Sequence, residues 1–281
     1  MLRKALVFGL IGVPGLAGTL VAFAGGGTFI AEEPTGIAGA PYSGVAVTQS
    51  TTVFSDGNRI VRTNSTHYYR DGQGRTRVER AVGLDSAGNA PQSNLMVTIT
   101  DPVAGEVYFF RSQGKIVEAM KLNPSVMAAR SAVTPAADRQ VPFALMGIGM
   151  AIGASLSTEA SSTSTSLGQK VVNGVTATGT RTIRTIPAGV LGNEKPIIST
   201  VDEWFSTDLD VPVQITQKSS IGGDVALNLT QLVRGEPDAS LFGPPAGYTV
   251  HQAPADMGAI VSGIAASASA TATSATATMQ K

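Results

Sequence analysis

Four carboxylates crowd one tryptophan in the last third of the chain: Asp202 and Glu203 directly precede Trp204, and Asp208 and Asp210 follow it. Side chains of this type at this spacing could supply the oxygen ligands of a calcium ion or an acid/base pair. No EF-hand loop accompanies them, and Asp208 and Asp210 fall in a strand-joining turn, where Asp is a favoured residue. Solvated turn acids around one structural Trp is the better reading. His67 and His251 stand in widely separated segments, and a zinc site needs more ligands than these two supply. The sequence holds neither a Gly-x-Ser-x-Gly elbow nor a Gly-x-x-x-x-Gly-Lys phosphate loop. No catalytic residue, metal ligand or cofactor site is assigned, and the expectation is a protein that is not an enzyme.

The other concentration of charge is basic. Six arginines lie between Arg59 and Arg80, offset by Asp56, Asp71 and Glu79. Arg59, Arg62, Arg75 and Arg77 are the candidate patch for a lipid headgroup, a phosphorylated glycan or an acidic protein partner. The competing and favoured reading is a solvated sheet face whose arginines pair across strands and discourage edge aggregation. Nucleic acid is not an expected partner, because the formal charge is zero and aromatic residues make up only 5% of the chain.

The elements that carry these residues read as strands. Charged residues are only 14% of 281, while Gly, Ala, Ser and Thr abound, a composition suited to strands and turns rather than a helical bundle. There is no cysteine, which removes disulfides, thiolate metal sites and cysteine nucleophiles together. Met1 to Lys4 is a positive start, Ala5 to Val21 is mostly apolar, and Ala22-Phe23-Ala24 has the small-x-small pattern of a signal-peptidase site. Residues 1–24 are accordingly expected to be a signal peptide and the chain to be exported to the periplasm or cell envelope. Its removal would leave no stable membrane anchor. Residues 25–41 read as a flexible leader.

From Tyr42 to Lys121 the pattern is that of about six strands with tight turns at Asp56-Gly57-Asn58, Asp71 to Gly74, Asp101 to Gly105 and Gln113-Gly114, which argues for antiparallel pairing. The segment 122–166 reads as a helical and low-complexity insert. Its uncharged run 140–158 could be a membrane span, a helix covering the sheet or an apolar loop, with packing against the sheet preferred over spanning because of its glycines and marginal length. Ser157 to Ser166 reads as a flexible Ser/Thr linker. A second strand block fills 167–250, with a strong hairpin signal at Asn173-Gly174. Val211, Val213 and Ile215 alternate with polar positions, as do Val225, Leu227 and Leu229, so these two strands have one buried face. Residues 251–281 form an Ala/Ser/Thr-rich tail expected to be disordered.

The order Asn173-Gly174-Val175, Gly179-Thr180-Arg181-Thr182, Val201-Asp202-Glu203-Trp204-Phe205, Leu209 to Val213 and Leu241-Phe242-Gly243-Pro244-Pro245-Ala246-Gly247-Tyr248 resembles the C-terminal half of lipoprotein-carrier (LolA-like) proteins. It is similar also to the N-terminal domain of RseB/MucB-type envelope stress regulators. The resemblance implies a mainly β domain over 42–250, a curved antiparallel sheet forming a half-open barrel with one or two covering helices. It further implies a cavity for an acyl chain or other apolar ligand, for which Trp204, Phe205, Phe109 and Tyr108 are the candidate contacts. Trp204 and Phe205 must lie on opposite faces of their strand, so only one of them can line that cavity. The expected function is that of a noncatalytic exported binding protein; the alternative is a protein-interaction or stress-sensor module of the RseB type.

Overall fold

The computed structural model describes residues 38–54, 56–82, 93–122, 160–221 and 223–253. The expected signal peptide, nearly all of the leader, the apolar run 140–158 with its covering helices, and the tail from residue 254 lie outside the described residues.

Strand-forming alternation produces two meanders. The first comprises β1 (Tyr42–Val53), β2 (Arg59–Arg70), β3 (Thr76–Ala81), β4 (Leu95–Asp101), β5 (Glu106–Arg111) and β6 (Ile116–Lys121). The second comprises β7 (Ser161–Val172), β8 (Val175–Ile186), β9 (Ile197–Ser206), β10 (Val211–Ser219) and β11 (Gly223–Arg234), and a short β12 (Thr249–Gln252) follows. All twelve belong to one sheet in the order β12-β6-β5-β4-β3-β2-β1-β11-β10-β9-β8-β7. β1 and β11 pair antiparallel and weld the meanders together. The sheet is open and curved, the half-open barrel that the sequence implies. Three irregularities add local twist: the β1–β11 register shifts between Ser43 and Val45, the β10–β9 register between Pro212 and Gln214, and the β7–β8 register between Ser166 and Gly168. Among the described residues the only helical element is a 3-10 turn at Ala239–Phe242.

Three features depart from the sequence reading. The Ser/Thr run expected to be a flexible linker is the first half of β7, paired with β8 from Ser161↔Thr185 to Ser166↔Thr180. It escaped detection because β7 is an edge strand exposed along nearly its whole length, so no apolar alternation marks it. The sequence pattern also suggests separate strands over 168–178 and 180–187; instead the chain turns at Asn173-Gly174 and β8 runs unbroken through Gly179. Finally, β12 begins inside the expected domain end and pairs parallel to β6 through Thr249↔Ile116 and Gln252↔Ala119. A parallel neighbour needs a crossing connection; here residues 235–248 supply it without an α-helix.

Register defines the faces, because cross-strand partners point the same way. Phe109, Thr98, Val78, Tyr68 and Gly44 follow one another across β5 to β1. Ala46 continues the face to Leu229, and Leu227 continues it to Ile215 and Glu203. This is the interior face, and the main cluster includes buried Tyr42, Ala46, Tyr68, Val78, Val213, Ile215, Leu227 and Leu229. Along β5 and β6 it carries a second cluster of Val107, Phe109, Met120 and Leu122. The opposite, outer face bears Val97, Ile99, Phe110 and Val117 in the first meander.

Candidate ligand-binding face

The interior face is assembled where the two meanders meet, and one residue fixes that junction. Arg70 ends β2 on the same face as Tyr68 and is fully buried, its guanidinium 4.9 Å from the centre of the Tyr42 ring. It donates to Ala40 O from Nε at 3.0 Å and from Nη2 at 2.8 Å, and also from Nη2 to Leu209 O. Leu209 belongs to the β9–β10 turn, so one cation ties the first meander to the second. Burial lowers the Arg70 pKa and raises that of Tyr42, in each case disfavouring the charged form. From the second meander, Asn173 at the β7–β8 turn donates to Leu229 O, drawing that hairpin tip over towards β11. Asn173 (φ 48°) and Gly174 (φ 83°) both take the left-handed conformation that such a two-residue turn requires.

The four candidate aromatics divide between the faces. Phe205, two residues beyond Glu203, and Phe109 share the interior face; Phe109 is buried and Phe205 half-buried. Tyr108 packs against the outer cluster, whereas Trp204, on the opposite side of β9 from Phe205, is half-buried against the main cluster. Trp204 spreads across Gly179, where a Cβ would stand 2.7 Å from ring atoms Cη2 and Cζ3. Lys170 Nζ sits 3.9 Å from the centroid of that ring and donates to Gln214 Oε1 at 2.6 Å. Trp204 is thus enclosed by its own sheet. Tyr108 donates to Glu106, and burial together with that carboxylate pushes its hydroxyl up to about 12. Glu106 is held below its ordinary range first by the Lys121 ammonium, 2.5 Å away, and then by Tyr108.

The arginine candidates do not form one patch. Arg75 pairs with Asp71 at 2.6 Å and lies 5.1 Å from the Phe242 ring centre. Arg77 pairs with Glu79 at 2.7 Å, donates to Leu241 O at 3.1 Å and lies 5.5 Å from the Phe110 ring centre. Both hold the strap of residues 235–248 against the outer face. Arg59 is exposed at the far end of β2, with Arg62 one turn of the pleat behind it. The carboxylates around Trp204 also diverge: Asp202 takes a two-point pair with Arg181 at 2.6 Å, while Asp208 reaches Arg234 at 3.3 Å. The Arg181 bond lowers the Asp202 pKa. His251 lies 3.6 Å from Glu118 and far from His67 in sheet order. Among the described residues no three His, Asp or Glu side chains gather to hold a metal ion.

No protein-family profile and no curated protein sequence matches the chain. Solved structures do. A MucA/MucB complex from Pseudomonas aeruginosa is 13% identical, with 76% of this chain and 59% of that one covered at a TM-score of 0.35. The lipoprotein LppX of Mycobacterium tuberculosis is 13% identical, covering 71% and 88% at 0.27, and LprF from Mycobacterium bovis is 12% identical, covering 75% and 91% at 0.30. The chain thus spans less than two thirds of the MucB-containing chain it matches. At TM-scores this low the architecture stands on its own strand order and register.

Sequence reasoning missed Arg70 as a junction residue, the strap contacts and the role of Gly179. Arg70 was legible in one respect: it falls two residues after Tyr68, on the apolar parity of β2.

Proposed function

We propose that this chain is an exported, noncatalytic binding protein that holds an acyl chain or similar apolar ligand against the interior face of its half-open barrel. The supporting observation is the continuity of that face: an apolar surface passes in register from Phe109 through Val78 and Tyr68 to Leu229, Leu227 and Ile215 within a sheet that does not close. These side chains are already buried against one another, so on this reading an elongated apolar ligand enters among them and takes the place of their mutual contacts. Phe205 and Phe109 then contact the ligand, Tyr108 braces the wall from outside, and Trp204 packs against the margin of the main cluster.

Titration of delipidated protein with a fluorescent fatty acid tests the reading. Saturable binding that Phe205→Asp weakens at least about tenfold is expected, since a charge is placed among apolar contacts. Absence of saturable binding would remove the carrier reading.

A second reading, a module that contacts an envelope protein, is favoured by β7. Ten of the twelve residues of this edge strand lie exposed, with Lys170 their one charge, and such an edge can accept an added strand. Protection of β7 amides from hydrogen exchange when a partner is added would support it over the carrier.

A further inference from the structure

At the end of the sheet where the β1–β2 hairpin turns, apolar side chains face water on both sides of the ribbon. Val53 is 56% exposed, Phe54 44%, Ile60 38% and Val61 53%. Register places Val61 opposite Thr51, so Val53 and Val61 project to the outer side, while Ile60, opposite Thr52, projects to the inner side. Phe54 stands at the turn itself, where its N–H donates to Asn58 O and its carbonyl accepts from Gly57 N. The neighbouring β10–β11 turn adds Ile221, 59% exposed. That turn is pressed against the first: Gly223 takes φ 82°, with Thr51 O and Thr52 Cα directly against it and no room for a side chain.

We infer that these adjacent tips form a membrane-docking end that dips into the interface of a phospholipid bilayer; the inference rests on the carrier reading, since an acyl ligand must be collected from or delivered to a membrane. Two features select a bilayer over a protein groove. A groove covers one side of a hairpin, whereas a bilayer interface surrounds an inserted tip and covers Val53 and Val61 as well as Ile60. Exposed cations also flank the apolar residues, Arg59 opposite Val53 beside the turn and Lys218 near the end of β10, in position to meet lipid phosphates, while exposed Asp56 and Asp224 at the same end leave no net charge that would favour an anionic surface. The opposite end of the sheet, at the Asn173-Gly174 turn, exposes Val171 (70%) as a natural control.

The chain contains no cysteine, so single labels can be placed without background. An environment-sensitive fluorophore on Val61→Cys should brighten and shift to the blue with phosphatidylcholine vesicles, with or without phosphatidylglycerol, while the same label on Val171→Cys should not respond. No response at residue 61, or equal responses at 61 and 171, would overturn the inference. In parallel, the double variant Phe54→Asp/Val61→Asp should lose about tenfold or more in vesicle affinity. Its affinity for a fluorescent fatty acid in solution should stay that of the wild-type chain, which separates failure of docking from failure of ligand binding; unchanged vesicle affinity in the double variant would also count against docking.

Discussion

The two meanders are built alike and finished differently. In the first, both faces are covered near β4 to β6: Phe109 and Met120 are buried inside, and Ile99, Phe110 and Val117 are buried outside, where Phe242 and Tyr248 of the strap lie against that face. The strap is fastened at intervals, by Glu236 accepting from Gly72 N at 3.0 Å, by Arg77 on Leu241 O, by the edge-on contact of Tyr248 with Phe110 at 5.5 Å, and by Tyr248 Oη donating to Ser112 O at 2.9 Å. β12 then closes that edge. In the second meander the same side carries polar pairs, Gln214 with Asn228 and Asp202 with Arg181, beside Trp204, and among the described residues β7 is left as an open edge. A sheet locked on one wall and free on the other suits a rigid support facing a wall that can yield to a ligand.

The junction between the meanders is where a substitution should do most damage. Arg70→Met removes the cation that serves Ala40 O and Leu209 O and leaves those buried carbonyls without their donor; a loss of about 3–5 kcal/mol is expected in urea unfolding. Within the locked wall, Phe242→Ala should cost about 3–4 kcal/mol, because the ring is only 2% exposed. It should also raise hydrogen exchange in β12 far more than in β8, and equal increases in both would contradict the strap's local role. On the free wall the effects are small. Asp202 there is depressed by Arg181, as Glu106 on the locked wall is by Lys121, so each contributes stability that is complete above its unfolded value and is lost as pH falls through its folded value, below the ordinary carboxylate range. Urea midpoints should therefore fall as pH is taken from neutral into the acid range, and Asp202→Asn should flatten that dependence slightly, with the smallest change of the three at neutral pH.

Much of this sheet could be read before it was seen, for a physical reason. Strands with one buried face advertise it, as Val211, Val213 and Ile215 do against Val225, Leu227 and Leu229, and turns that need positive φ select Asn-Gly and Asp-Gly. β7 hid because an edge strand with exposed residues on both sides has no apolar period to show. The candidate site was half legible. Alternation requires Trp204 and Phe205 to part company, but which of them faces inward depends on pairings through β10, β11 and β1 that no local pattern records. Arg75 and Arg77 looked like surface charge because the strap that engages them arrives some 160 residues later, a separation of 164 residues for the Arg77–Leu241 bond.

The central claim is that the interior face holds an acyl chain, and native mass spectrometry of the purified chain tests it most directly. The account predicts a bound species with the mass of a fatty acid or phospholipid, recovered by solvent extraction and diminished in Phe205→Asp. A chain that flies as the bare polypeptide, yields no lipid on extraction and takes up none when it is offered would contradict it.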